Sequence, residues 1–341
     1  MIVTSSPRRT ALMERTLVAK NDKHQTATII SREREIYLTV ELKEALVKEF
    51  CRREENKEKT ELEPSRGDQT TLQRLLLQAI QMKSVEETVG VAVNPYAIVF
   101  DQAVLKTDLK SQLEINITKN PSERKKHFTE TLGAFQAKVK ELCGNNNFKI
   151  NYNSFFRSPQ KNRSLLLAHI NELLLTNGNS AFLTRLKISV QRPTPPENRT
   201  PDEEIRHLNA TRDKIIKRIK KELSTDFLGF AWKTDLGFDD PMSVRIFIFS
   251  KSAPVIPKLQ QAIEDELKAR KSMFPFLLLG SSSVAKGMAA TESESEKISP
   301  EDVADLLIAP DFLIRFTLSQ HRLLGKGKLP ANKAPVNSEP S

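Results

Sequence analysis

The sequence is poor in the residues that staple small domains and in those that carry most covalent chemistry. Its 341 residues include two cysteines, Cys51 and Cys143, one tryptophan, three tyrosines and five histidines. Two cysteines exclude a disulfide-rich scaffold and a thiolate metal site, which need more of them at short spacings. They fit a reducing, cytoplasmic-type compartment. No apolar run approaches the roughly 20 residues that cross a bilayer, so no membrane partner is expected. The longest, FPFLLLG at 274–280, has the length of a buried strand. The opening MIVTSSPRRTALMERTLVAK has arginines but no apolar stretch, which does not fit a secretory signal. The lysine–glycine words near residues 286 and 326 do not lie between a strand and a helix, so no phosphate loop is expected. Zinc-ligand spacings and a nucleophile elbow are also missing, and no cofactor is expected.

Basic charge is what the chain has in excess. Lys and Arg total 53 against 43 Asp and Glu, a net charge of +10. Such a balance suits an acidic partner, most commonly nucleic acid, if the charge is clustered; spread evenly, it serves only solubility.

Read in order, the pattern is α+β. Residues 1–30 have no period and are expected to form a flexible arm, with Arg8, Arg9, Arg15 and Lys20 solvated or near phosphate. Residues 31–160 are expected to be a mainly helical domain. Apolar residues recur at helical spacing in 38–50 and 71–82, and 86–100 fits either short strands or a buried helix. The helix at 121–143 has Asn120 as N-cap, Pro121 at its first position and Gly144 at its end. Residues 144–162 read as a polar connector whose Phe148, Tyr152, Phe155 and Phe156 anchor a loop or stack bases. His169, among leucines, reads as a core residue.

Residues 161–280 are expected to form a second domain. AFLTRLKISVQ (181–191) alternates like a strand. Thr200, Pro201 and Glu203 open a helix with a capping box, buried stripe Ile205, Leu208, Ile215, Ile216, Ile219 and Leu223, and bases gathered late, as the helix dipole favours. FLGFAWKT (227–234) and MSVRIFIFS (242–250) make a hairpin across DLGFDDP, a helix follows near 257–271, and MFPFLLLG is a possible last strand. Strand, helix, hairpin, helix and strand describe a ferredoxin-like, split βαβ antiparallel sheet with helices on one face. Residues 281–299 read as a Ser/Glu-rich linker, 300–324 as C-terminal helices and 325–341 as a disordered tail.

Several local words then resemble one family. INELLLTNGNSAF precedes LTRLKISV; GFAWKTDLGFDDPMSVRIFIFS follows the long helix; DFLIRFTLSQHRLLGKGK comes late. Over roughly 163–324 the chain resembles the filamentous-phage gene-2-like family, or YagK/YfjJ C-terminal domain, as a divergent member. That family is related to rolling-circle replication initiators of the HUH endonuclease class. The resemblance implies phage or plasmid DNA replication. It also implies a metal held by two histidines at i and i+2 of one strand, and a downstream tyrosine that attacks a DNA phosphate.

Here the histidine positions fall on Met242 and Val244, and the tyrosine position near Leu318. Methionine is too soft for a hard cation and valine has no donor. Tyr37, Tyr96 and Tyr152 all precede the hairpin. The expectation is a DNA-binding protein, for single- or double-stranded DNA, with a degenerate and inactive nicking centre. Lys214, Lys217, Arg218, Lys221 and Arg245 are the candidate phosphate contacts. A second possibility is an active nickase using magnesium or manganese, with Asp235, Asp239 and Asp240 as weak metal ligands and Tyr152 as a substitute nucleophile. A third is a regulatory protein that meets a protein partner through its N-terminal helices.

Overall fold

A computed structural model describes residues 18–20, 26–28, 32–52, 66–81, 91–118, 120–189, 201–235, 242–269, 276–285, 297–316 and 323–327. Within the expected arm, β1 (Val18–Lys20) pairs antiparallel with β2 (Thr26–Thr28), so that stretch carries a short ribbon. The chain divides into two units. A helical unit holds residues 8–161 and takes back 308–318; a sheet unit holds 162–307 and the segment from 319 onward. Neither is a simple run of sequence.

The helical unit contains α1 (Arg32–Arg52), α2 (Arg66–Gln81), α3 (Pro95–Thr107), α4 (Leu109–Thr118), α5 (Pro121–Gly144) and the first half of α6 (Asn146–Leu175). Its core joins Val47 and Phe50 of α1, Phe100 of α3 and Phe135 of α5, among others. The Phe135 ring meets Phe50 and Phe100 edge-on, at 5.5 and 5.6 Å between centroids. Lys43, almost fully buried, is neutralised by Asp101 at 2.6 Å. The expected N-cap of α5 is present: Asn120 Oδ1 accepts from the Glu123 amide at 2.9 Å. In the ambiguous stretch after residue 86, β3 (Val91–Val93) is followed directly by α3. Asn94 caps α3 by accepting from the Tyr96 amide at 2.9 Å, and its side-chain amide donates to Phe312 O at 2.8 Å. The latter residue belongs to the returning segment, where β9 (Ile314–Phe316) pairs antiparallel with β3.

The sheet unit contains β4 (Ser180–Ser189), α7 (Pro201–Leu223), β5 (Phe227–Asp235), β6 (Ser243–Ser250), α8 (Ile256–Lys268), β7 (Phe276–Ala285), β8 (Lys297–Ile298), α9 (Pro300–Ile308) and β10 (Leu324–Lys326). Its strand order is β10-β5-β6-β4-β7-β8, antiparallel except for the β7–β8 pair. On one face, Leu186, Ile188, Trp232, Val244, Ile246 and Ile248 pack beneath Leu208, Ile215 and Ile219 of α7 and Leu259 and Ile263 of α8.

Helices cover the other face too, which corrects the expectation of helices on one face only. A Cβ built on Gly229 of β5 would stand 2.9 Å from the Leu173 side chain of α6, and Arg245 of β6 reaches the carbonyls of Leu306 and Leu307 on α9. The physical signal is in β6: all eight of its residues are buried, as expected of a strand covered on both sides.

Three further expectations change. Residues 146–162 are not a connector but the first half of α6, which has Pro159 inside it. Proline has no N–H to give to the carbonyl four residues back, at Phe155. Arg315 Nη1 donates to that carbonyl instead, at 3.1 Å, with its guanidinium 5.5 Å from the Phe155 ring centroid. Of the expected linker, 281–285 complete β7 and 297–298 form β8; the stretch between lies outside the described residues. Beyond residue 312 the expected C-terminal helices are not helical where described: a 3-10 helix (Ala309–Phe312) leads into β9, and Leu324 begins β10. The start of the expected tail is therefore an edge strand, with Gly325 against the Trp232 ring and Gly327 against Phe230. Thr200, the expected N-cap of α7, lies outside the described residues.

Candidate nucleic-acid interface

Val244 is fully buried in the apolar cluster beneath α7 and α8, and Met242 packs against the same cluster. The positions that would hold metal ligands in a nicking centre are thus part of a hydrophobic core here. Asp239, Asp240 and Leu318 lie outside the described residues. Among the described residues, no group of three or more His, Cys, Asp or Glu is placed to hold a metal ion.

Two expected site residues serve another purpose. Arg245 and Asp235 lie on adjacent strands and form a forked ion pair, Nε to Oδ2 at 2.6 Å and Nη2 to Oδ1 at 3.2 Å. Arg245 is 0% exposed. Its remaining N–H groups donate to Leu306 O and, at 3.2 Å, to Leu307 O, in the last turn of α9. A guanidinium can satisfy a carboxylate and helix-end carbonyls together because its donors are fixed in one plane. Arg245 is therefore corrected from a phosphate contact to a buried tie between β6, β5 and α9. Asp235, with both carboxylate oxygens taken by Arg245, is corrected from a metal ligand to its counter-ion. The β-register sets Lys187, Arg245 and Lys233 in one row across β4, β6 and β5. Lys233 is buried and lies 3.9 Å from Asp235. The alternation of β6, with Arg between Val and Ile, is the sequence signal for such a residue, but it does not say which partners meet it.

The other four expected phosphate contacts come together. Lys214, Lys217, Arg218 and Lys221 line one groove with Lys220, Ser224, Thr225 and, from α8, Glu266. Its volume is about 910 Å³. The four lie at i, i+3, i+4 and i+7 of α7, hence on one helical face, with Ile215, Ile216 and Ile219 buried on the other. Like charges at these spacings repel, each pair costing the helix roughly 0.2–0.5 kcal/mol. The helix dipole compensates within the last turn, at Lys220 and Lys221, and its effect fades before Lys214 and Lys217. Helix stability therefore accounts for only part of the cluster. Lys220 joins the groove from α7 itself, and Ser224 and Thr225 from the turn that follows it; Ser224 sits at φ 46°, the left-handed conformation common where helices stop. That closure was not legible from spacing. Phe227 stands at the edge of this region, its ring centroid 5.9 Å from Lys220 Nζ.

The remaining candidates are structural. Tyr152 belongs to an aromatic cluster of the helical unit, with centroid separations of 4.6 Å to Phe156, 5.8 Å to Tyr96 and 5.9 Å to Phe148. Asp235 belongs to the other unit. Burial, followed by the neighbouring Tyr152, pushes the Tyr96 phenol up to about 12. His169 is 1% exposed, and a backbone hydrogen bond at Phe230 only partly offsets its burial. Desolvation first, and then the charge of Lys326, pushes its pKa down from 6.5 to about 4, so it is neutral near pH 7. No helix among the described residues is long and apolar enough to cross a membrane. In comparisons with known proteins, no family model, no curated protein and no solved structure matches this chain.

Proposed function

We propose that this chain holds DNA by its phosphate backbone in the groove of Lys214, Lys217, Arg218, Lys220 and Lys221, without cutting it. The observation that carries this is the collection of five cationic side chains in one groove with a single acid, Glu266. Backbone phosphates are regularly spaced anions, and lysine and arginine side chains neutralise them with release of counterions. Nothing in the groove favours one base over another, so single- and double-stranded DNA are both within its scope. The apolar burial of Val244, with Met242 packed against the same cluster, argues against the histidine-metal route of the replication initiators.

Kinship with replication initiators of phage or plasmid type belongs to the same proposal. Its support is the order β5-β6-β4-β7, joined as strand, helix, hairpin, helix, strand, which is the arrangement of a split βαβ, ferredoxin-like sheet. Fold does not fix function, so the groove carries the proposal and the kinship only accompanies it.

Binding measured by fluorescence anisotropy, on single-stranded and duplex oligonucleotides over a salt series, tests it. Four or so phosphate contacts give a log–log slope of affinity against salt of roughly −3 to −4. Replacing Lys214, Lys217, Arg218 and Lys221 by Ala, all lining the groove, is expected to lower affinity at least tenfold and flatten that slope while the far-UV spectrum stays unchanged. Equal binding by the variant, or none by the wild type at low salt, overturns the proposal. Supercoiled plasmid with magnesium or manganese is expected to remain unnicked; nicking by the wild type would overturn the non-cutting part alone.

A further inference from the structure

We propose that Glu266 is an internal counter-ion of the cationic groove, which a DNA phosphate displaces on entry, so that one carboxylate sets how tightly the groove holds DNA. This rests on the reading of the groove as a site for the phosphate backbone.

The geometry begins with two packed helices. Of the residues that line the groove, only Glu266 comes from α8; the others belong to α7 and to the turn after it. Leu259, Ile263 and Leu267 of α8 are buried in the same apolar cluster as Ile215, Ile216 and Ile219 of α7. Near the start of α8, Lys258 Nζ lies 3.5 Å from Glu222 Oε1 of α7. Glu266 directly precedes the buried Leu267 and is itself half-buried. Helix packing, not a loop, therefore brings its carboxylate to the groove.

The electrostatics follow from the lining. Lys214, Lys217, Lys220 and Lys221 are exposed and Arg218 is half-buried. The Arg218 Nε is buried with no hydrogen-bond partner among the described residues, so the cations are not fully satisfied by the protein itself. Side chains three and four apart on a helix are about 5–6 Å apart at Cβ. That is shorter than the roughly 8 Å over which physiological salt screens charge. Five cations at such spacings repel one another, and one carboxylate relieves part of the repulsion when no DNA is bound. The same carboxylate opposes an arriving phosphate, because both anions seek the same cations. Five cations less one acid leave a net charge of +4 to neutralise phosphates. A glutamine at position 266 keeps the shape and leaves +5. An exposed ion pair is weak, so this carboxylate tunes binding rather than blocking it.

Fluorescence anisotropy of the full chain with a duplex oligonucleotide, over a salt series, tests the role. Wild type is compared with Glu266→Gln and with Glu130→Gln, which removes the same charge from an exposed position on α5. Glu266→Gln is expected to bind about two- to fivefold more tightly at low salt. Its log–log slope of affinity against salt is expected to be steeper by about one. Glu130→Gln is expected to change neither. Without DNA, the urea midpoint of Glu266→Gln is expected to lie below that of wild type at low salt, with a gap that closes as salt screens the groove. A role in packing alone would keep that gap at every salt concentration. Binding by Glu266→Gln that is no tighter, with an unchanged slope, overturns the proposal and leaves the groove reading standing. An equal gain in Glu130→Gln, or a stability gap that salt does not close, overturns it too. Absence of DNA binding by wild type and Glu266→Gln alike overturns the groove reading and this proposal with it.

Discussion

At the scale of single residues, polar side chains are buried in this protein by two routes. Arg245 and Asp235 enter the interior as a satisfied pair, in which removal of one partner would strand the other's charge. His169 enters without a counter-ion and stays neutral. Above pH 6.5 it is neutral whether the chain is folded or unfolded, and titration costs nothing. Between 6.5 and about 4 the unfolded chain takes the proton and the folded chain does not, so this contribution to stability falls as pH falls through that window. The full loss is roughly 3 kcal/mol. Urea midpoints at pH 7 and pH 4.5 are expected to differ more for wild type than for His169→Leu, in which no imidazole is left to titrate. The same loss in both would place the pH dependence elsewhere.

At the scale of elements, Gly325 of β10 and Gly327 just after it show how little space this edge strand has. A Cβ on Gly325 would stand 2.6 Å from the Trp232 indole, and one on Gly327 would stand 2.8 Å from the Phe230 ring. Opposite faces of neighbouring elements hold Trp232 in place: the Arg212 guanidinium lies 3.5 Å from its ring centroid. The indole therefore has little room to withdraw. Gly325→Ala is expected to destabilise the sheet unit by about 1–3 kcal/mol and to raise hydrogen exchange at the Thr234 amide, which donates to Leu323 O at 2.8 Å. Unchanged exchange there would show that β10 bears no such constraint. From sequence, GKGK reads as a basic tail because glycine marks flexibility in isolation and close approach only in a known context. The helices with clear caps and stripes were legible: Asn120 and Pro121 open α5, and the buried stripe of α7 lies where its period puts it. The hairpin was legible from its alternation. The first half of α6 was legible in principle, since Phe148, Tyr152, Phe155 and Phe156 recur at i, i+4, i+7 and i+8, but its asparagines and Pro159 spoke against a helix. What fills the gap left by Pro159 is Arg315, far away in sequence, and no local pattern announces it. The partners of Arg245 were hidden for the same reason, whereas the four cations of the groove were visible because one helical face is a local property.

At the scale of the whole molecule, the two units are interleaved in sequence rather than strung in order. The helical unit takes its β9 strand, and two of the hydrogen bonds of Asn94, from residues after 307: the Asn94 amide donates to Leu313 O at 2.9 Å and its side chain to Phe312 O at 2.8 Å. A chain stopped after Leu307 is expected to lose hydrogen-exchange protection at the start of α3, while a chain stopped after Leu318 keeps it. Equal protection in both would mean that the returning segment adds nothing to this unit. The loss is expected to be about 1–3 kcal/mol for each buried polar group left without a partner. The return of 308–318 also bears on how the protein is made. Synthesis on the ribosome runs from the N-terminus, and domains generally fold as they emerge. Here the unit whose residues appear first cannot close until residues 162–307 of the other have been translated. Throughout that interval the edge of β3 is uncovered and Asn94 lacks its acceptor, so the newly made helical unit is a client for chaperones for longer than its position in the chain would suggest.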